Sequence, residues 1–248
     1  MSNCSENRLL YGKLQLEFEN GARIVKKTAI ISGASGLTGS HLVKFLCEDE
    51  SYAEVRVIVR KGLTYNHAKL VTIIRNLDQV KESDFEGVDD FFCCLGSTMK
   101  KAGSKEAFEQ VDLIAPIKMG KYAKQQGVDH MLVISAMGAN AGSKVYYNRI
   151  KGVMEEKLST LALPHLSIFR PSLLLGKRQE FRLGERVGEV VMKVLKPAFV
   201  GPLKKYRAIE AKQVAYSMMQ NALEIPSDKV KIIESESMAQ MKSAKIVY

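Results

Sequence analysis

Three glycines placed directly after a short apolar run constrain this chain more than any other feature. Ala29, Ile30 and Ile31 precede Gly33, Gly36 and Gly39, and an apolar helical pattern follows at once with Leu37, Leu42, Val43 and Leu46. A strand that runs through a glycine turn into a helix is how an α/β fold builds a dinucleotide site. Gly33 permits the tight turn. Gly36 removes a Cβ where a pyrophosphate approaches the backbone, and Gly39 lets the helix pack closely on the strand. The helix N-terminus adds free N–H groups and the positive end of its dipole. Ser35, Leu37 and Thr38, lying between the glycines, are expected to share the cofactor contact.

Strand and helix patterns then alternate along the rest of the chain. Apolar runs predict strands at 28–32, 55–59, 70–74, 89–95, 131–135, 166–170 and 229–234, and helices at 37–47, 105–125, 146–160, 184–195 and 210–223. Alternation of this kind implies an α/β fold, a doubly wound parallel sheet of Rossmann type covered on both faces. Residues 1–26 read as an N-terminal extension with a short hairpin at Leu14–Ile24. Residues 27–248 read as one cofactor-binding domain, with a small C-terminal lobe whose substrate-side elements lie at about 172–210.

Composition narrows the classes. With 248 residues and a net charge of +10, the chain can bury a full core and favours anionic ligands. Its basic residues are scattered in pairs without a nucleic-acid motif, so no nucleic-acid partner is expected. No apolar run approaches bilayer-spanning length and the N-terminus lacks a signal-peptide pattern, so a cytoplasmic protein without stable membrane insertion is expected. The four cysteines, Cys4, Cys47, Cys93 and Cys94, lack metal-ligand spacing, and no metal site is expected. Cys93 and Cys94 are adjacent in a strand and therefore read as core residues facing opposite ways.

In such sheets the ligand binds beyond the carboxyl ends of the strands. Arg60 and Lys61 follow the second predicted strand, where an acidic residue would bind the ribose of NAD. A basic pair there suits the 2′-phosphate of NADP, so NADP(H) is favoured over NAD(H). After the fourth strand, Leu95, Gly96 and Ser97 bring backbone close to the cofactor, and the Ser97 and Thr98 hydroxyls lie within reach of cofactor or substrate. Ser135 ends the fifth strand, and Tyr147 and Lys151 follow at helical spacing on one face. A tyrosine of ordinary pKa, about 10, is a poor acid–base group at neutral pH. A lysine beside it would lower that value, and Lys151 can also hold the nicotinamide ribose. Tyr147 would then exchange a proton with a substrate oxygen that Ser135 also binds, as hydride moves to or from the cofactor. Tyr146, next in line, is an alternative core residue. Arg170 and Pro171 close the sixth strand, and Pro171 cannot extend a ladder. Ser172–Arg186 are expected to roof the substrate cleft, with charges suited to a polar or anionic substrate.

On these segments the chain resembles the atypical branch of the short-chain dehydrogenase/reductase superfamily, and bacterial Tat-interacting oxidoreductase-like proteins in particular. The resemblance runs from Lys27 to Ile233 and rests on Ser32–Gly39, Cys93–Thr98 with Lys101–Gly103, Tyr147–Lys151, and Phe169–Gly176 with Arg178–Glu180 and Gly184–Glu185. It implies a Rossmann fold, NADP(H) binding, catalytic roles for Ser135, Tyr147 and Lys151, and cofactor contacts that include Arg170 and Pro171. Two positions depart from the pattern. Many relatives carry Val-Asn where this chain has Val111-Asp112, and many carry an acidic residue after the third strand where Arg75 and Asn76 stand. Asn76 or Asp78 is then the candidate for the adenine. The expected activity is NADP(H)-dependent oxidation or reduction of a small alcohol or carbonyl, by a chain that can form a homodimer. The alternatives are an NADPH-binding regulatory protein with little turnover and a sugar-nucleotide epimerase that uses NAD.

Overall fold

A computed structural model of the chain describes residues 15–19, 22–176, 207–224 and 227–241. The strands are β1 (Gln15–Glu19), β2 (Ala22–Ser32), β3 (Tyr52–Val59), β4 (Leu70–Ile74), β5 (Asp90–Cys93), β6 (His130–Ile134), β7 (His165–Arg170), β8 (Leu174–Leu175), β9 (Ile209–Glu210) and β10 (Val230–Glu234). The helices are α1 (Leu37–Glu48), α2 (Met99–Ala102), α3 (Lys105–Glu109), α4 (Ala115–Gln125), α5 (Tyr146–Ser159), α6 (Ala211–Leu223) and α7 (Ser235–Gln240).

Seven strands form one parallel sheet in the order β4-β3-β2-β5-β6-β7-β10, the doubly wound arrangement expected. Strand order reverses at β2, whose neighbours are β3 and β5, so the crevice beyond the ends of β2 and β5 is the switch point. Successive residues feed opposite faces of the sheet. Ala29, Ile31 and Phe92 pack with α1 and α6 residues such as Leu42 and Val214. Ile30, Phe91 and Cys93 pack with Met119 of α4 and Met154 of α5. Cys93 and Cys94 join opposite clusters, as adjacent strand positions require.

The expected hairpin is present: β1 pairs antiparallel with the first half of β2. It is not separate from the domain, because β2 runs unbroken through Lys26 and Lys27 into the sheet. One helix was expected over 105–125. The chain instead forms α3, a π-turn at Gln110–Ile114 and α4. The predicted helix at 184–195 and residues 177–186 of the expected roof lie outside the described residues.

At the opposite end of the strands lies a buried polar layer. Asp90 accepts hydrogen bonds from Lys27 at 3.0 Å and Tyr52 at 2.6 Å, and His130 Nε2 lies 2.8 Å from Ser167 Oγ.

Candidate active site

The glycine loop is built as its spacing demands. Gly33 has φ +79°, and a Cβ there would lie 2.5 Å from the Cys94 carbonyl oxygen. The turns after β2 and β5 therefore abut at the switch point. A Cβ on Gly39 would lie 2.2 Å from the Gly33 oxygen, whereas one on Gly36 would meet that oxygen at 3.0 Å. Gly36 and Ser35 are exposed, Leu37 is half-buried, and Thr38 and Gly39 are buried. Among the described residues no side chain caps α1, and no acidic residue occupies its first turn, so its N-terminal N–H groups are suited to an anion. Gly176 lies so close to Leu37 that a Cβ would stand 2.7 Å from Leu37 Cδ1.

Arg60 and Lys61 follow β3 directly and are exposed. Arg75 is not available in the same way: its guanidinium is 3.0 Å from Asp84. Asn76, considered for the adenine, starts a short 3-10 turn in which its N–H donates to Gln79 Oε1 at 3.1 Å.

The loop after β5 is fixed from below. The Ser97 N–H donates to Asp112 Oδ2 at 2.8 Å, and Gly96 is exposed above it. Thr98, expected to reach cofactor or substrate, has another partner, since its hydroxyl accepts the Lys101 N–H as the cap of α2.

Asp112 reaches this position because the helix widens around it. Pro116 has no N–H for the Asp112 carbonyl four residues earlier, and its ring crowds that carbonyl. The Ala115 N–H instead bonds Gln110 O, five residues back. Asp112 is thereby turned inward with no exposed surface, and its Oδ1 lies 2.8 Å from Lys151 Nζ. Lys151, 2% exposed, also donates to Ile134 O at 3.4 Å. Ile134 is the last residue of β6 and precedes Ser135, so the lysine head and Ser135 meet at the same strand end. The Ser135 N–H bonds Phe169 O, while its Oγ is buried with no hydrogen-bond partner among the described residues. An orphaned buried hydroxyl is costly unless a ligand oxygen completes it.

Tyr147 sits one turn before Lys151 on α5, with its ring 5.8 Å from that of Phe108. The expected lowering of its phenol pKa is not what the site produces. Burial pushes it up, Lys151 pulls it down, and Asp112 pushes it up again, leaving it above the ordinary value. For Lys151, burial opposes the charge, but the Asp112 carboxylate and Tyr147 outweigh it and hold the ammonium above its usual range. Tyr146 is not a core residue. Its hydroxyl donates to Glu109 at 2.7 Å, and Lys105 Nζ and Arg149 Cζ each lie 5.4 Å from its ring centroid.

Arg170, expected at the cofactor, is held by two carboxylates. It donates to both Glu155 oxygens at 3.1 and 2.6 Å, and to Glu234 at 3.3 Å, tying α5, β7 and β10 together. Pro171 lies beside the site and its carbonyl accepts the Met137 N–H at 3.0 Å. Two contributors were not singled out from sequence for these roles. Asp112 was noted as a departure but not as the partner of Lys151. Gly152 was missed: a Cβ there would lie 2.2 Å from Ala141 N and Asn140 C, so only glycine seats α5 on the loop after β6. A glycine in mid-helix beside Lys151 was the available signal.

Comparisons with known proteins bear on the family and the fold. The chain is 29% identical to protein HTATIP2 of Rattus norvegicus over 231 residues, covering 91% of this chain and 93% of the rat protein. It is 33% identical to the mitochondrial protein FMP52 of Eremothecium gossypii over 212 residues, covering 84% and 93%. Among solved structures, MoeE5 in complex with UDP-glucuronic acid and NAD matches with a TM-score of 0.63 at 16% identity, over 83% of this chain and 75% of that one. The Thermotoga maritima UDP-glucose 4-epimerase matches with a TM-score of 0.62 at 18% identity, over 84% and 76%. At such identities these structures speak to the fold alone. No helix among the described residues is long and apolar enough to cross a membrane. The glycine cradle, the loop over Asp112 and the Tyr147–Lys151 helix all fall within residues 33–166, which match the model of the NAD(P)H-binding family, and with HTATIP2 and FMP52 as relatives the chain belongs to that family, in its atypical short-chain dehydrogenase/reductase branch.

Proposed function

We propose that this protein is an NADP(H)-dependent oxidoreductase that moves a hydride to a carbonyl or from an alcohol, with Tyr147 exchanging the proton. The observation that carries the reading is the Ser135 Oγ, buried without a hydrogen-bond partner among the described residues, at the strand end where the Lys151 ammonium arrives. A substrate oxygen placed there would accept from Ser135 and from Tyr147 together.

The residues present fit a dinucleotide. The Gly33–Gly39 cradle leaves room that a Cβ at Gly36 would begin to fill, and the uncapped α1 N-terminus would bind the pyrophosphate. Arg60 and Lys61 would bind the 2′-phosphate, and the exposed Gly96 backbone would pass along the cofactor. Lys151 Nζ donates to Ile134 O and stands 2.8 Å from Asp112 Oδ1, and an ammonium with three N–H groups would still have one to offer the nicotinamide ribose. When bound, the cofactor supplies or takes up the hydride. Ser135 orients the substrate oxygen, Tyr147 gives or takes the proton, and Lys151 fixes both the phenol and the ribose.

Replacing Tyr147 by Phe tests the assignment. NADPH oxidation against a panel of aldehydes and ketones should fall at least about a hundredfold, with NADPH affinity retained. An unchanged rate would overturn the role of Tyr147. Tight NADPH binding with no turnover anywhere on the panel would favour the regulatory alternative.

A further inference from the structure

The buried Asp112 carboxylate has two different tasks. Oδ2 holds the Ser97 N–H of the loop after β5, and Oδ1 stands 2.8 Å from the Lys151 ammonium. Both charged groups are sealed from water, with 0% and 2% side-chain exposure, so solvent screens their interaction little. The lysine therefore brings its positive charge to Tyr147 together with a compensating negative one. A lone buried ammonium beside a phenol would favour the phenolate, whereas an ion pair largely withholds that push.

We propose that Asp112 is a positioning residue that acts through Lys151 to keep Tyr147 a proton donor, and so sets this site to reduce a carbonyl rather than to oxidise an alcohol. The proposal rests on the oxidoreductase reading for its chemistry. In the favoured direction a carbonyl carbon takes a hydride from reduced nicotinamide, and its oxygen takes the Tyr147 proton. The products are the alcohol, oxidised nicotinamide and a Tyr147 phenolate, which regains its proton from water. Alcohol oxidation would need that phenolate at the outset.

Among the described residues, the charged groups facing Tyr147 come from two elements. Lys151 lies on its own helix and Asp112 on the π-turn, while Phe108 of α3 brings only an uncharged ring. Cys93 of β5 touches the arrangement through Lys151. The neighbouring charges Lys105, Glu109 and Arg149 surround Tyr146 instead. The same carboxylate links the cofactor loop to the proton donor, because moving Ser97 moves the group that balances Lys151.

The test reads the phenol directly in the full-length chain, labelled at tyrosine Cζ for NMR, with Tyr147→Phe used to assign the resonance. In the unsubstituted chain Tyr147 should remain protonated past the ordinary tyrosine value of about 10. Loss of its proton at or below that value overturns the proposal, and this arm needs no variant to fold. In Asp112→Asn the same resonance should titrate at least about one pH unit lower, and Asp112→Glu should restore it. An unmoved Tyr147 titration in a folded Asp112→Asn also overturns the proposal. Neither arm involves turnover, so a chain that reduces no carbonyl would sink the oxidoreductase reading without altering this result.

Discussion

Lys151 and Asp112 form a buried ion pair, 2.8 Å apart, that joins the mid-helix lysine of α5 to a π-turn 39 positions earlier in the chain. Removing one partner strands the other charge away from water. Lys151→Met should lower unfolding stability by about 3–5 kcal/mol, measured by urea denaturation. Adding Asp112→Asn to it should recover most of the loss, because no uncompensated charge is then left.

The glycine loop predicts a contrast between two similar substitutions. Gly39→Ala drives a Cβ to 2.2 Å from a backbone oxygen and should cost roughly 3 kcal/mol or more. Gly36→Ala meets the same oxygen at 3.0 Å and should cost about 1 kcal/mol. Its Cβ nevertheless occupies the approach of the pyrophosphate, so NADPH affinity should fall at least about tenfold. Thermal melting and cofactor titration of both variants separate the folding role of Gly39 from the binding role of Gly36.

The buried layer at the other end of the sheet predicts an acid sensitivity unrelated to the site. Burial, with Lys27 and His165 nearby, pulls the His130 pKa down from 6.5 to about 3. Below pH 6.5 the unfolded chain binds a proton there that the folded chain refuses, so stability falls as pH drops from 6.5 toward 3. The full loss from this residue is on the order of 4–5 kcal/mol. His130→Asn should flatten that part of the stability–pH curve measured by denaturant unfolding.

How much of this was legible in the sequence follows from distance along the chain. The glycine loop and the Tyr147–Lys151 pair are local patterns, and the alternation of apolar runs carried the sheet. Lys151's partner is not local. Its local traces were Asp112 itself, in place of the Asn of relatives, and Pro116 four residues later in an otherwise helical run, where the proline forces the π-turn that aims the carboxylate inward. The resemblance implied a cofactor contact for Arg170, but it gave no sign that Glu155 and Glu234, 15 and 64 positions away, hold its guanidinium. The sign of the Tyr147 shift was missed for the same reason, since Lys151 was read without its counter-charge.

Cofactor preference tests the central claim most directly. A bound cofactor stabilises the fold by mass action, so the shift in melting temperature orders affinities without any knowledge of substrate. NADPH should raise the melting temperature of the full-length chain more than NADH at equal concentration, and Arg60→Ala should abolish the difference. A larger shift with NADH, or a preference for NADPH that survives Arg60→Ala, would contradict the account.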